Sequence, residues 1–105
     1  MKNKTLGMLS ICRKAGKLKP GFDPAANSLG RDAALVAFSA DASPKTKERM
    51  AEKALRAGVA CLTLPFTADE IGYATGKRVV VLAITDEGLA RQVSRLAGGS
   101  NEEVM

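Results

Sequence analysis

Two rhythms of apolar residues alternate along the chain. In residues 4–16, Leu6, Leu9 and Cys12, with Met8, Ile11 and Ala15 alongside, recur three to four positions apart, which predicts a helix. Arg13, Lys14 and Lys17 collect toward its C-terminal end, where the helix dipole favours cations, and Gly16 is placed to end it. Lys17–Pro20 reads as a short extended connector. Asp23 and Pro24 read as a helix start, with Asp as N-cap and Pro in the first helical position; this helix runs to about Leu29 and Gly30 closes it. The second rhythm begins at Ala33–Ser39 (AALVAFS), an unbroken apolar run that suits a strand covered on both faces.

Ser43 and Pro44 then open a helix from Pro44 to Ala57, ended by Gly58, with Met50, Ala51, Ala54 and Leu55 as its predicted buried stripe. Val59–Leu64 is the next strand. A strand–helix–strand unit of this kind predicts parallel strands joined by a right-handed crossover. Thr67 and Glu70 have capping-box spacing and open a short helix through Ala74. Gly76 turns the chain into Arg78–Thr85, whose run VVVLAI reads as a buried strand. Asp86 caps a last helix to about Leu96, and residues 97–105 (AGGSNEEVM) read as a loose tail. The expected architecture is a three-layer α/β/α sandwich on a small mixed sheet, with residues 1–96 as one domain.

Composition narrows the function classes. With 46% apolar residues but only Phe22, Phe38, Phe66 and Tyr73 as aromatics, the core must be aliphatic. So few rings argue against a base-stacking platform. No apolar run reaches the ~18 residues of a membrane span, and the basic start lacks the apolar stretch of a secretory signal. The chain has no His, and its two cysteines, Cys12 and Cys61, stand far apart, which excludes Cys/His zinc spacing and His-dependent triads. Both cysteines are expected as reduced, largely buried thiols of a cytoplasmic protein.

Charge adds the candidate chemistry. Residues 1–20 carry six basic and no acidic residues, which exceeds the net charge of +5 for the whole chain. Lys14, Lys17 and Lys19 belong to this basic start. Lys45 and Lys47 fall in the first turn of a helix, where cations oppose the dipole at about 0.3–1 kcal/mol each. An anionic partner, such as a nucleic-acid phosphate, would account for them. Lys77 and Arg78 after Gly76 make a third basic segment. Asp41 and Asp86 both follow strands and read as turn and cap residues, although two such carboxylates could also receive a metal or a phosphoryl group. Neither a phosphate loop nor a GxGxxG pattern occurs. The expectation is a non-enzymatic protein without cofactor or metal.

Three segments, LGMLSICRKAGKLKPG, LVAFSADASPKTKERM and FTADEIGYATGKRVVVLAITDEGLARQV, resemble in order the L-seven-Ae ribosomal-protein family, above all its small bacterial members. The resemblance covers about residues 5–95. It implies an α/β/α sandwich that binds kink-turns in RNA and uses no cofactor, with structured or ribosomal RNA and ribosome-associated proteins as expected partners. The family's RNA-reading motif is Gly, any residue, Asn, Glu, then Lys three positions after that Glu. The matching stretch here is Gly21, Phe22, Asp23, Pro24, Ala25, Ala26 and Asn27. Gly21 is kept, while Asp23, Pro24 and Asn27 replace the Asn, Glu and Lys. Arg31, near the same helical face, could partly replace the lost cation. Two other readings stand beside RNA binding: a protein-interaction module associated with ribosome assembly, and a small phosphoryl-binding or enzymatic domain built on Asp41 and Asp86.

Overall fold

The computed structural model describes residues 3–104, with side chains from Asn3 to Ala97. The elements run α1 (Lys4–Lys14), β1 (Leu18–Pro20), α2 (Phe22–Ser28), β2 (Leu35–Phe38), α3 (Pro44–Ala57), β3 (Cys61–Thr63), α4 (Ala68–Thr75), β4 (Val81–Ile84) and α5 (Glu87–Val104). The α5 assignment passes Leu96, where the sequence ended the helix. The expected tail at 97–105 falls almost wholly outside the residues whose side chains are described.

The strands form one mixed sheet in the order β1-β4-β2-β3. β2 and β3 are parallel, as the crossover predicted, and β4 is antiparallel to both β1 and β2. The two central strands are buried along their whole length. Their alternation sorts the core into two layers. Leu35, Ala37, Leu82 and Ile84 pack with Leu6, Leu9 and Cys12 of α1, Ile71 of α4 and Val93 of α5. Val36, Phe38, Val81 and Ala83 pack with Ala25 of α2 and with Met50 and Ala54 of α3. The result is the three-layer sandwich, with α1, α4 and α5 on one face and α2 and α3 on the other.

Four expectations change. Lys17–Pro20 contains a strand: Leu18 pairs with Ile84, Lys19 with Ala83 and Pro20 with Leu82. Three residues ending in Pro show almost no alternation, and Pro is tolerated here because β1 is an edge strand. The second helix begins earlier, with Gly21 as N-cap, and Asp23 makes no capping bond. Pro24 falls in the third helical position, where its missing N–H is one the helix would leave unpaired anyway. On α3 only Met50 and Ala54 of the expected stripe are buried; Ala51 is exposed and Leu55 is 80% exposed. Finally, Cys12 is buried but Cys61 is only half-buried, because β3 is the other edge strand.

Candidate nucleic-acid interface

Strand direction decides which loops meet. β1, β2 and β3 point one way and β4 points the other. The C-terminal ends of β1, β2 and β3 therefore gather at one end of the sheet, beside the start of β4 at Val81. Helices α2, α3 and α4 all begin there, and α5 begins at the opposite end. Backbone bonds lock this end: the Gly21 N–H donates to Val81 O (2.8 Å), Ser39 N–H to Val80 O (2.9 Å), and Ala40 N–H to Phe66 O (2.6 Å).

The three helix N-termini are not equivalent. A helix N-terminus carries partial positive charge that nearby carboxylates neutralise. The first turn of α2 holds Asp23. That of α4 holds Asp69 and Glu70, closed by a full capping box with Thr67. In addition, Asp41 Oδ1 accepts the Ala68 N–H at 3.0 Å. The first turn of α3 has no acid; Ser43 caps it, accepting the Thr46 N–H at 3.1 Å, and Lys45 and Lys47 follow. Among these three helix starts, α3 is the one left positive.

Neighbouring side chains support that site. Arg49 of α3 lies over the Phe22 ring of α2, 5.3 Å from its centroid, a cation–π contact that joins the two helices. Arg78 Nε donates to Asp69 Oδ1. Both side chains are largely exposed, so solvent screens the pair and it is readily exchanged. Gly72 makes room for the Arg78 segment: a Cβ there would lie 3.0 Å from Arg78 Cα. Asp41 is held below the usual carboxylate range, first by the Ser39 hydroxyl and then by the Ala68 N–H, with the Arg78 charge adding a little. Ser39 Oγ itself is buried and falls short of a formed hydrogen bond with any described residue.

Other expected site residues are placed as follows. Lys19, Asn27 and Arg31 line one groove of about 300 Å³ beside α2, together with Pro24, Ser28 and Asp32. Lys77 is exposed in the loop before β4. Lys17 does not join this end, and Lys14 is exposed on the last turn of α1. Lys17 O accepts the Thr85 N–H (2.9 Å), which puts it at the Ile84 end of the sheet. The three basic segments therefore do not share one edge. Arg13 makes the link that exists: its guanidinium packs against Gly76, with Cζ 3.4 Å from where a Cβ would stand. Asp41 and Asp86 also separate, because β2 and β4 are antiparallel. Asp86 Oδ2 caps α5 by accepting the Leu89 N–H at 2.8 Å. Asp86 thus takes the cap role read from the sequence, and the alternative of a site built on both carboxylates fails on that geometry.

Arg49 was absent from the sequence-based candidates. Its signal was the four-residue step from Lys45, but its contact with Phe22 depends on the packing of two helices.

The fold has known counterparts. A protein of unknown function from Bacillus halodurans superposes with a TM-score of 0.84 at 24% identity, over 91% of this chain and 98% of that one. The Giardia lamblia 15.5kD RNA binding protein superposes with a TM-score of 0.73 at 20% identity, over 92% of this chain and 84% of that one. At these identities the likeness is one of fold. No family model matches the chain, and no curated protein matches it either.

Proposed function

We propose that this chain is a non-enzymatic protein that binds structured RNA, with ribosomal RNA as the expected class, at the Val81 end of its sheet. The observation that carries the reading is the start of α3, a helix N-terminus with no acid and two lysines, flanked by Arg49 and Arg78. A backbone phosphate would pair with both cations beside the positive end of the helix dipole. The Giardia protein of the same fold is an RNA-binding protein, which supports the same class of partner here. Asp41 and Asp86 are engaged as acceptors for backbone N–H groups at opposite ends of the sheet, which favours a structural role for both.

Kink-turn selectivity is proposed to be weak. Asp23, Pro24 and Asn27 are exposed on α2. In place of the family's amide, carboxylate and ammonium they present a carboxylate, a proline ring and an amide. A carboxylate only accepts hydrogen bonds, so the lost amide donor is not replaced. One good bidentate base contact is worth about 1–3 kcal/mol of discrimination. A cytoplasmic location belongs to the same proposal, since reducing conditions there suit two free thiols. No helix among the described residues is long and apolar enough to cross a membrane. The alternative of a protein-interaction module in ribosome assembly draws on exposed Ile11, Tyr73 and Leu96 on the helices of one layer and Leu55 on the other.

The test is a titration against a kink-turn RNA and a matched unkinked duplex at several salt concentrations. Both should bind with similar affinity, and log K should fall with log salt by roughly 0.7–0.9 per neutralised phosphate. Restoring the motif with Asp23→Asn, Pro24→Glu and Asn27→Lys should raise kink-turn affinity selectively. An absence of binding to either RNA at low salt would refute the reading.

A further inference from the structure

Helix α3 carries more positive charge than its first turn needs. Lys45, Arg49, Lys53 and Arg56 follow one another at steps of four, four and three, so they form a stripe along the helix, and all four are exposed. The stripe faces α2. Arg49 lies over Phe22, and Lys53 and Arg56 line a groove of about 410 Å³ whose other wall is Ala26, Asn27 and Leu29. Glu48 and Glu52 border the other flank, where they line a different groove with Ala51, Leu55 and Arg49, so Arg49 stands between the two. Arg56 is paired with Glu52 at 3.4 Å, but both side chains are mostly exposed and the pair is readily exchanged.

The Phe22 contact of Arg49 and the Glu52 pair of Arg56 offset only part of the repulsion within this stripe. Lys45 with Arg49, and Arg49 with Lys53, are like charges four residues apart, each such pair costing an isolated helix about 0.2–0.5 kcal/mol. From Lys45 to Arg56 the stripe extends roughly 16 Å at 1.5 Å per residue. That length exceeds what a single phosphate or mononucleotide occupies. It fits a run of phosphates.

We infer that the seam between α2 and α3 is a second contact surface, on which the phosphodiester backbone of the bound RNA continues from the α3 N-terminus to Lys53 and Arg56. The inference rests on the RNA-binding reading above and adds the course of the RNA across the protein. With Phe22 covered by Arg49 and no other ring among the described residues that line the seam, base stacking has no platform here and the cations address the backbone. The bound RNA must therefore have a helical arm that extends beyond the element held at the sheet end.

The experiment compares the native chain, a Lys53→Ala/Arg56→Ala variant and an Arg91→Ala/Arg95→Ala control. The control residues are also exposed and line a groove on α5, in the opposite helix layer. Each protein is titrated over a range of salt against one structured RNA with a long arm and against the same RNA with the arm removed. On the long-armed RNA, the Lys53/Arg56 variant should have a salt slope shallower by about one for each cation removed. The control should match the native chain, and shortening the arm should abolish the difference. An unchanged slope in the Lys53/Arg56 variant, as a protein-docking surface would give, overturns the inference while leaving RNA binding intact. Equal losses in variant and control overturn it too. A native chain that binds neither RNA overturns the functional reading itself.

Discussion

Gly21 shows how one residue can serve the fold and the site together. Its φ of 107° and ψ of 158° lie in a region open essentially to glycine. Its N–H donates to Val81 O and its carbonyl accepts the Ala25 N–H at 3.0 Å, so it fixes the start of α2 to the end of the sheet. A Cβ would also stand 3.3 Å from Pro24 Cδ. Gly21→Ala should therefore cost about 1–3 kcal/mol, read as a lower midpoint in urea unfolding. Cys12 makes a second prediction at this scale. Burial first, and the Asp86 charge second, push its thiol from 9.0 up to about 11. The folded state thus keeps a proton that the unfolded chain releases near pH 9. The stabilisation is fully present below pH 9 and is lost as pH rises toward 11, with roughly 2–3 kcal/mol at stake. Urea unfolding between pH 8 and 11 should show a steeper fall for the native protein than for Cys12→Ala. A thiol reagent should reach half-buried Cys61 in the native state well before Cys12.

Among the elements, α3 sets stability against the proposed binding. Lys45 works against the dipole in a first turn that contains no acid. Lys45→Glu should stabilise the protein by about 0.3–1 kcal/mol in chemical unfolding. The same change should weaken RNA binding and make its salt dependence shallower. A variant that is both less stable and unimpaired in binding would show that Lys45 is an ordinary surface residue. Elements with strong periodicity or punctuation could be read from the sequence. Examples are α3 with Ser43 and Gly58 at its ends, α4 with its capping box, and the runs that became β2 and β4. β1 could not, because three edge residues ending in Pro are defined only by their pairing with β4. The fate of Leu55 was equally hidden: composition makes it a core candidate, and only the placement of α3 on the sheet turns it outward.

For the whole molecule, the sequence revealed the layered fold and the basic segments, but not which segments share a surface. That depends on β4 running against β2, which carries Asp86 and Lys17 to one end and gathers Gly21, Lys45 and Arg78 at the other. Net charge suggested a concentrated N-terminal footprint. The topology moves the centre of the proposed footprint to three helix starts, of which two are neutralised by their own carboxylates. The most direct measurement is amide chemical-shift mapping of the native protein as structured RNA is added at low salt. The largest shifts should fall at Gly21–Asn27, Ser43–Lys47 and Lys77–Val80, with weaker ones along α3 toward Arg56. Shifts confined to the Lys17, Thr85 and Asp86 end, or none at saturating RNA, would contradict the account.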